Sequence, residues 1–232
     1  MFPIRDTVRA RSFPIINWVI IILNGLVFYF QINLSSSGLE QFFNNFALIP
    51  SKINITQPLS LIPFITHMWM HASLFHLISN VWMLFIFGDN VEDRLGSMRY
   101  LLFYVLGGIC AGLLQFYFTS NPTIPALGAS GAIAAVMGAY FLFYPRSRVV
   151  TFVPIFFWGW IVHIPSFIFL GIWFGSQVFS GVIELTAAVG GATGGVAWWA
   201  HIGGFLFGLI LGHPFTIGRK KRRKYKDEYY PW

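Results

Sequence analysis

Four side chains in apolar stretches of this sequence could perform acyl-transfer chemistry together. Ser130 lies between glycines in "GASGAIAAVMGAY", and His201 lies in "VAWWAHIGG". A serine hydroxyl is a weak nucleophile until a neighbouring base takes its proton, and an imidazole can do so. His76 and Asn80 are four residues apart, so a helix presents both on one face. The pattern predicts a Ser–His dyad, with His76, Asn80 and the Ser130 backbone N–H as oxyanion donors.

The composition indicates that these residues lie in a membrane. Of the 232 residues, 56% are hydrophobic and only 10% are charged, which leaves too little polar surface for a soluble protein. A helix needs about 20 apolar residues to cross the hydrocarbon. Six such runs lie near 14–32, 68–88, 100–118, 125–144, 162–180 and 196–212. The predicted fold is therefore an all-α polytopic membrane protein with a six-transmembrane-helix bundle.

This prediction divides the chain into an N-terminal segment (1–13), a six-span domain (14–212) and a basic tail (213–232). The first apolar run is expected to be retained as a span, because it is long and no A-x-A-like cleavage site follows it. Cys110 is the only cysteine, so the sequence offers neither a disulfide nor a multi-thiolate metal site.

The distribution of lysine and arginine predicts the orientation. With six spans, fourteen basic residues fall on one side and only Lys52 on the other. The fourteen are Arg5, Arg9, Arg11, Arg94, Arg99, Arg146, Arg148 and seven residues within Arg219–Lys226. This positive-inside pattern predicts cytoplasmic N- and C-termini, in a cell membrane (plasma or inner). A basic run directly after an apolar helix is typical of contact with anionic membrane lipids, so nucleic acid is not expected as a partner.

The apolar segment 149–161 is too short for a span, and Pro154 and Pro165 interrupt its surroundings. A seventh crossing there would also export the basic tail. We therefore predict an interfacial or re-entrant piece rich in aromatic residues. In the outer loops, "LEQFFNNFALIP" predicts a helix lying in the interface, and the glycine-rich loop at 181–195 is expected to be flexible.

The orientation places the polar residues at one depth. The second, fourth and sixth spans run from the outside inward, so Ser130 and His201 lie within about 10 Å of the outer ends of their helices. No Asp or Glu lies in the outer halves of these three helices, so a dyad is expected rather than a triad. His71 is expected to tie the second span to the first outer loop.

Small residues follow both members of the dyad at helical spacing. The two series are Ser130, Ala134 and Gly138 on one helix, and His201, Gly204, Gly208 and Gly212 on the other. Membrane helices approach most closely on such faces, so packing them together would bring Ser130 within hydrogen-bonding reach of His201. Considered separately, the serine could be a packing residue and the histidine a structural hydrogen-bonding group.

Four stretches in this order resemble the rhomboid family of intramembrane serine proteases. They are "HASLFHLISN", "FGDNVEDRLGSMRY", "GASG" with Gly128 and Gly131, and "AHIGGFLFG". The resemblance implies Ser130 as nucleophile, His201 as base, His76 and Asn80 in the oxyanion hole, and a supporting role for His71. It implies no metal or cofactor, and transmembrane protein substrates that enter sideways near the second and fifth spans.

One position departs from this family. Many members carry an aromatic residue four positions after the serine, stacked on the catalytic histidine, whereas this chain has Ala134. The orientation of His201 must then come from another group. Trp173 and Phe174 in the fifth span are suitable as gate residues, or as aromatics that face lipid.

Three other classes of function are possible. A metalloprotease could use His67 and His71 with His76 or His201, but no H-E-x-x-H motif is present. A catalytically silent rhomboid-like scaffold that binds client transmembrane helices would keep the fold without needing the dyad. A transporter would more often show inverted repeats and broken mid-span helices, which the sequence lacks.

Overall fold

The computed structural model describes residues 1–155, 158–187 and 196–219. Its longer elements are β1 (Phe2–Asp6), α1 (Ile15–Ile32), α2 (Ser36–Phe46), α3 (Pro63–Thr66), α4 (Leu74–Leu95), α5 (Ser97–Phe118), α6 (Ser130–Phe143), β2 (Arg148–Ile155), β3 (Trp158–Pro165), α7 (Ser166–Ala187) and α8 (Trp198–Leu211). Residues 188–195 of the glycine-rich loop and residues 220–232 of the basic tail lie outside the described residues.

Within the described part of the chain, four helices, α1, α4, α5 and α7, are long and apolar enough to cross a membrane by length and composition. The predicted fourth and sixth spans correspond to α6 and α8, which are apolar but have only 14 residues each. They begin at Ser130 and Trp198, later than the predicted starts at 125 and 196. The predicted fifth span is displaced, because α7 continues to Ala187 where the sequence predicted a loop.

Helix α6 forms the centre of the bundle, with α8, α5 and α4 packed around it. It can be enclosed in this way because seven of its 14 residues are Ser, Gly or Ala, and Ala132, Ala134, Ala135 and Ala139 are fully buried. Small side chains let neighbouring helix backbones approach closely, which is how helices associate in lipid without a hydrophobic driving force. A helix is present in the loop after the first span, where the sequence predicted one: it is α2, and its Phe42 contacts Phe30 of α1.

The all-α prediction is wrong in one region. The segment predicted as an interfacial or re-entrant piece belongs to a β-hairpin, β2 and β3, and β1 adds a third antiparallel strand in the order β1-β2-β3. A continuous apolar run does not distinguish a strand from a helix by periodicity, and β-branched residues such as Val149 and Val150 favour a strand. Pro165 ends β3 directly before α7.

Polar contacts fix the edge of this sheet against α4 and α6. Asn90 donates a hydrogen bond to Asp6 (2.9 Å), and the Tyr140 hydroxyl donates another to the same carboxyl. Burial raises the pKa of Asp6 well above its ordinary value, although the bond from Tyr140 acts in the opposite direction. Further along β1, the Trp82 indole donates to the Pro3 carbonyl (2.7 Å).

A buried carboxylate connects α1 to the end of α4. Glu92 is 2% exposed and accepts hydrogen bonds from the backbone N–H groups of Ile16 (3.1 Å) and Asn17 (2.7 Å). These N–H groups belong to the first turn of α1, which has no intrahelical acceptors for them. The Ser97 hydroxyl also donates to Glu92 (2.6 Å). The carboxylate therefore caps α1 and complements the positive end of its dipole.

We expect Glu92→Gln to lower the free energy of unfolding by about 1–3 kcal/mol, because an amide carries no charge and its NH2 group cannot accept a hydrogen bond. The measurement is thermal or denaturant unfolding of the purified protein in detergent. Glu40→Gln is the matched control, since Glu40 is exposed on α2 and should leave stability unchanged. Equal stabilities for the two variants would show that Glu92 does not cap α1.

Candidate active site

Ser130 and His201 are in direct contact. Ser130 is the first residue of α6, His201 lies in the first turn of α8, and the His201 Nε2 is 2.8 Å from the Ser130 Oγ. A hydroxyl that donates to an imidazole nitrogen at this distance can lose its proton as it attacks an electrophile. The contact predicted from the two series of small residues is present.

The two helices meet backbone against backbone. A side chain added at Gly204 would collide with the Gly131 carbonyl oxygen, and one at Gly208 with the Ala135 carbonyl oxygen. At Gly138 the obstacle is the Phe205 carbonyl oxygen of α8. Side chains at these positions would separate the helices, so the 2.8 Å contact depends on residues that contribute no reactive group.

Gly128 brings the loop before α6 against His76. Its φ of +129° lies in a region that residues with a side chain rarely adopt, and its N–H donates to the His67 carbonyl (2.9 Å). A Cβ on Gly128 would lie 2.8 Å from the His76 Nε2 and 3.7 Å from the Ser130 Oγ. The His76 ring and the Ser130 hydroxyl therefore border the same small space.

The other predicted donors lie on α4 and α6. Asn80 is 6% exposed, and within the described part of the chain its Nδ2 has no hydrogen-bond acceptor. His76 lies one turn earlier on the same helix face. The first N–H groups of α6, which include that of Ser130, have no intrahelical partner, and the helix dipole makes this end favourable for an anion. Donors from two helices are thus available for a developing negative charge.

His71 holds the segment before α4 against α1. Its backbone N–H donates to the Gln31 side chain (3.1 Å), whose amide donates back to the His71 carbonyl (2.9 Å). The link expected between His71 and the first outer loop is thus a link to the end of α1. The His71 ring lies edge-on to that of His76, with 5.1 Å between the centroids, and so supports a predicted oxyanion donor.

The ring of His67 is engaged by a backbone group, because its Nδ1 is 2.8 Å from the Pro63 carbonyl oxygen. Over residues 1–155, 158–187 and 196–219, no three His, Cys, Asp or Glu side chains are grouped so as to hold a metal ion.

One polar residue of the site was missed by the sequence analysis. The Gln177 Oε1 of α7 is 2.7 Å from the His201 Nδ1, on the side of the ring opposite Ser130. A single glutamine in an apolar helix belongs to no motif. The only indication in the sequence was that an amide within a span costs free energy unless it has a hydrogen-bond partner.

Trp173 and Phe174 also face α8. The Trp173 ring is 5.8 Å from that of His201, and the Phe174 ring stacks on that of Phe205 at 4.5 Å. Both residues are half-buried and pack on α8, so neither ring lies wholly on the outside of the bundle. Trp173 supplies an aromatic contact to His201 that Ala134 cannot make.

Comparison with known protein families matches residues 58–217 to the Rhomboid domain. Among curated proteins, the chain is 31% identical over 157 residues to RHOMBOID-like protein 6, mitochondrial, of Arabidopsis thaliana, covering 64% of this chain and 41% of that protein. RHOMBOID-like protein 1 of the same plant is 31% identical, with 66% and 34% covered. Rhomboid protein 1, mitochondrial, of Saccharomyces cerevisiae is 24% identical, with 83% and 54% covered. The chain thus spans between about a third and about half of the length of these relatives.

We expect Gly204→Val to abolish the reactivity of Ser130 although glycine has no functional group. The valine would push α8 away from Gly131, and a shift of about 1 Å can cost roughly a hundredfold when two groups must meet at hydrogen-bond distance. The measurement is the rate at which a fluorophosphonate probe labels Ser130. Overpacking should also destabilise the protein by about 1–3 kcal/mol.

Leu206→Val is the control for this change, since Leu206 lies on the same helix but is 39% exposed. It should label at nearly the wild-type rate. Phe207 of α8 would not serve as this control, because its ring packs on that of Phe103 of α5 and a substitution there would itself disturb the packing. Wild-type labelling of the Gly204→Val protein would mean that the Ser130–His201 contact does not depend on close approach of α6 and α8.

Proposed function

This chain belongs to the rhomboid family, and on that basis we propose that it is an intramembrane serine endopeptidase that cleaves transmembrane or juxtamembrane segments of other membrane proteins. The observation that carries the proposal is the 2.8 Å contact between the Ser130 Oγ and the His201 Nε2, within a bundle of apolar helices. A catalytically silent scaffold would need neither this contact nor donors beside it.

The proposed reaction follows from the positions of the side chains. As the Ser130 Oγ attacks the scissile carbonyl carbon, His201 Nε2 takes the hydroxyl proton, and the carbonyl oxygen becomes an oxyanion. Asn80, His76 and the Ser130 N–H donate hydrogen bonds to that oxygen. The intermediate collapses to an acyl-enzyme as His201 returns the proton to the leaving amine. A water molecule, deprotonated by His201, then hydrolyses the ester and restores the serine.

The chemistry needs no metal or cofactor, and the proposed partners are transmembrane protein substrates and the surrounding lipid. We infer six crossings, in which the short helices α6 and α8 join the four longer spans, with both termini cytoplasmic. The positive-inside distribution supports this orientation. Two of the relatives carry "mitochondrial" in their names, so the comparisons give no support to the plasma or bacterial inner membrane over other membranes.

We expect Ser130→Ala and His201→Ala each to reduce cleavage by at least about a thousandfold, since the two groups act as a unit. The assay incubates the purified protein in liposomes with a generic transmembrane substrate and measures the cleaved product. Circular dichroism should show the same helix content in both variants. Cleavage by the pure Ser130→Ala protein near the wild-type rate would exclude Ser130 as the nucleophile, and inhibition by a chelator reversed by zinc would favour a metalloprotease.

We expect Asn80→Ala to lower kcat by roughly a hundredfold with little change in KM, because removing one oxyanion donor typically costs about 3 kcal/mol in the transition state only. Steady-state kinetics on the same substrate provide the measurement. Ser79→Ala is the control, because the Ser79 hydroxyl on the same helix bonds to the His76 carbonyl (2.9 Å) and is exposed. An unchanged kcat with a raised KM would instead make Asn80 a substrate-contact residue.

A further inference from the structure

The imidazole of His201 is held on both sides. Ser130 contacts its Nε2, and the Gln177 side chain lies 2.7 Å from its Nδ1. Gln177 is only 6% exposed, and it comes from α7, a helix that contributes neither the serine nor the histidine. A buried amide that meets the far nitrogen of a general base determines how that base can act.

The orientation of the Gln177 amide follows from its other contacts. Its Nε2 donates to the Trp173 carbonyl (3.2 Å) and to the Ser176 hydroxyl (2.9 Å), which directs the oxygen toward His201. A carbonyl oxygen can only accept, so Nδ1 must carry the imidazole proton. In the neutral ring the lone pair then lies on Nε2, where the Ser130 hydroxyl donates to it. This tautomer is the one that can take a proton from the serine.

We propose that Gln177 is a positioning residue that fixes the tautomer and the ring orientation of His201, and that the placement of α7 thereby controls whether the base is competent. The proposal rests on the proposed protease function only for its kinetic consequences. The hydrogen bonds themselves do not depend on which substrate is cleaved.

Helix α7 is suited to such control because it is attached to the bundle mainly through α8. Trp173 and Gln177 are one turn apart and both contact His201, and Phe174 stacks on Phe205 of α8. The rings of Phe87 on α4 and Phe169 near the start of α7 lie 6.5 Å apart. Beyond its first turns, α7 thus packs mainly on α8, and the Glu184 carboxyl near its end accepts from the Ser120 hydroxyl after α5 (3.2 Å).

A separation of α7 from α8 would disengage the base. A hydrogen bond of 2.7 Å is lost once the atoms are more than about 3.5 Å apart, so a displacement of roughly 1 Å is enough to release Nδ1. Without the amide, the ring can populate the tautomer with its proton on Nε2, which cannot accept from Ser130. Acylation therefore requires α7 to lie against α8, whatever movement of α7 accompanies substrate entry.

The first experiment compares Gln177→Met, which keeps the length but not the oxygen, with Gln177→Glu, which keeps the acceptor. We expect kcat to fall roughly 10- to 100-fold in Gln177→Met with KM within about twofold, and Gln177→Glu to restore kcat to within about fivefold of wild type. Gln115→Met is the matched control, because Gln115 is a buried glutamine of α5 that accepts from the backbone of α8 at Ala200 (3.2 Å). It should lower stability without a comparable loss of kcat. Equal kcat losses in all three variants would reduce Gln177 to a packing residue and overturn the proposal.

The second experiment reads the tautomer directly and needs no substrate. In protein labelled with 15N-histidine, the His201 signals are assigned by their loss in His201→Ala. We expect the wild type to show a protonated Nδ1 and a basic Nε2, and Gln177→Met to show a mixture. A wild-type ring protonated on Nε2, or identical spectra for the two proteins, would overturn the proposal. A fixed Nδ1–H tautomer in a protein that cleaves no transmembrane substrate would exclude the proposed protease function and leave the positioning role of Gln177 intact.

The third experiment tests the role of α7 without altering Gln177. Phe174→Ala removes the ring that stacks on Phe205 and should loosen α7 from α8, so the tautomer mixture should appear and kcat should fall. Phe179→Ala is the control, since Phe179 is on the same helix but 69% exposed. A fixed tautomer and a full kcat in Phe174→Ala would show that the packing of α7 on α8 does not govern His201.

Discussion

The site depends on one constraint, the backbone contact between α6 and α8. Gly204 and Gly208 face the carbonyl oxygens of Gly131 and Ala135, so at these two positions no side chain of α8 separates the two helices. In lipid this contact has no hydrophobic driving force, and it is stabilised by dispersion over a close-packed surface. Two short side chains, a serine and a histidine, can meet only because the axes are this close. The longer helices serve largely to enclose this pair.

A second theme is that several buried polar groups of this bundle have specific partners, because an unpaired polar group is costly in a low-dielectric environment. Glu92 caps α1, the Tyr100 hydroxyl donates to the Asn17 side chain (2.7 Å), and Asn90 bonds to Asp6. These links lie at the end of α4 away from Ser130. At the other end Asn80 keeps an unused donor within the described residues. These partnered groups thus lie away from the site, whereas the unused donor of Asn80 lies within it.

The contact between Ser130 and His201 could be predicted from the sequence because its signals are periodic and mutually consistent. Ser130 and His201 each precede a series of small residues on one helix face, and both fall at the same depth once the charges orient the chain. Gln177 could not be found in this way. A lone amide has no period, and its role depends on a rotation of α7 about its axis that the sequence does not specify.

The sheet was missed for a different reason. Val149 and Val150 begin an apolar run that carries no alternation, because both faces of that part of the hairpin are covered, so the run is as compatible with a helix as with a strand. The pairing that defines it also comes from β1, at the far end of the chain. Local sequence holds little information on a partner strand so distant.

That pairing has a consequence for assembly. Phe2 of β1 pairs with Phe152 of β2, and the Pro3 carbonyl of β1 accepts a hydrogen bond from the Trp82 indole. During synthesis, β1, α1 and α4 are made long before β2. One edge of β1 therefore stays unpaired while the spans that follow enter the bilayer. Contacts of such high sequence separation form late and slowly. Completion of the sheet therefore follows synthesis of α6, and a nascent chain that stops before the hairpin has no partner strand for β1.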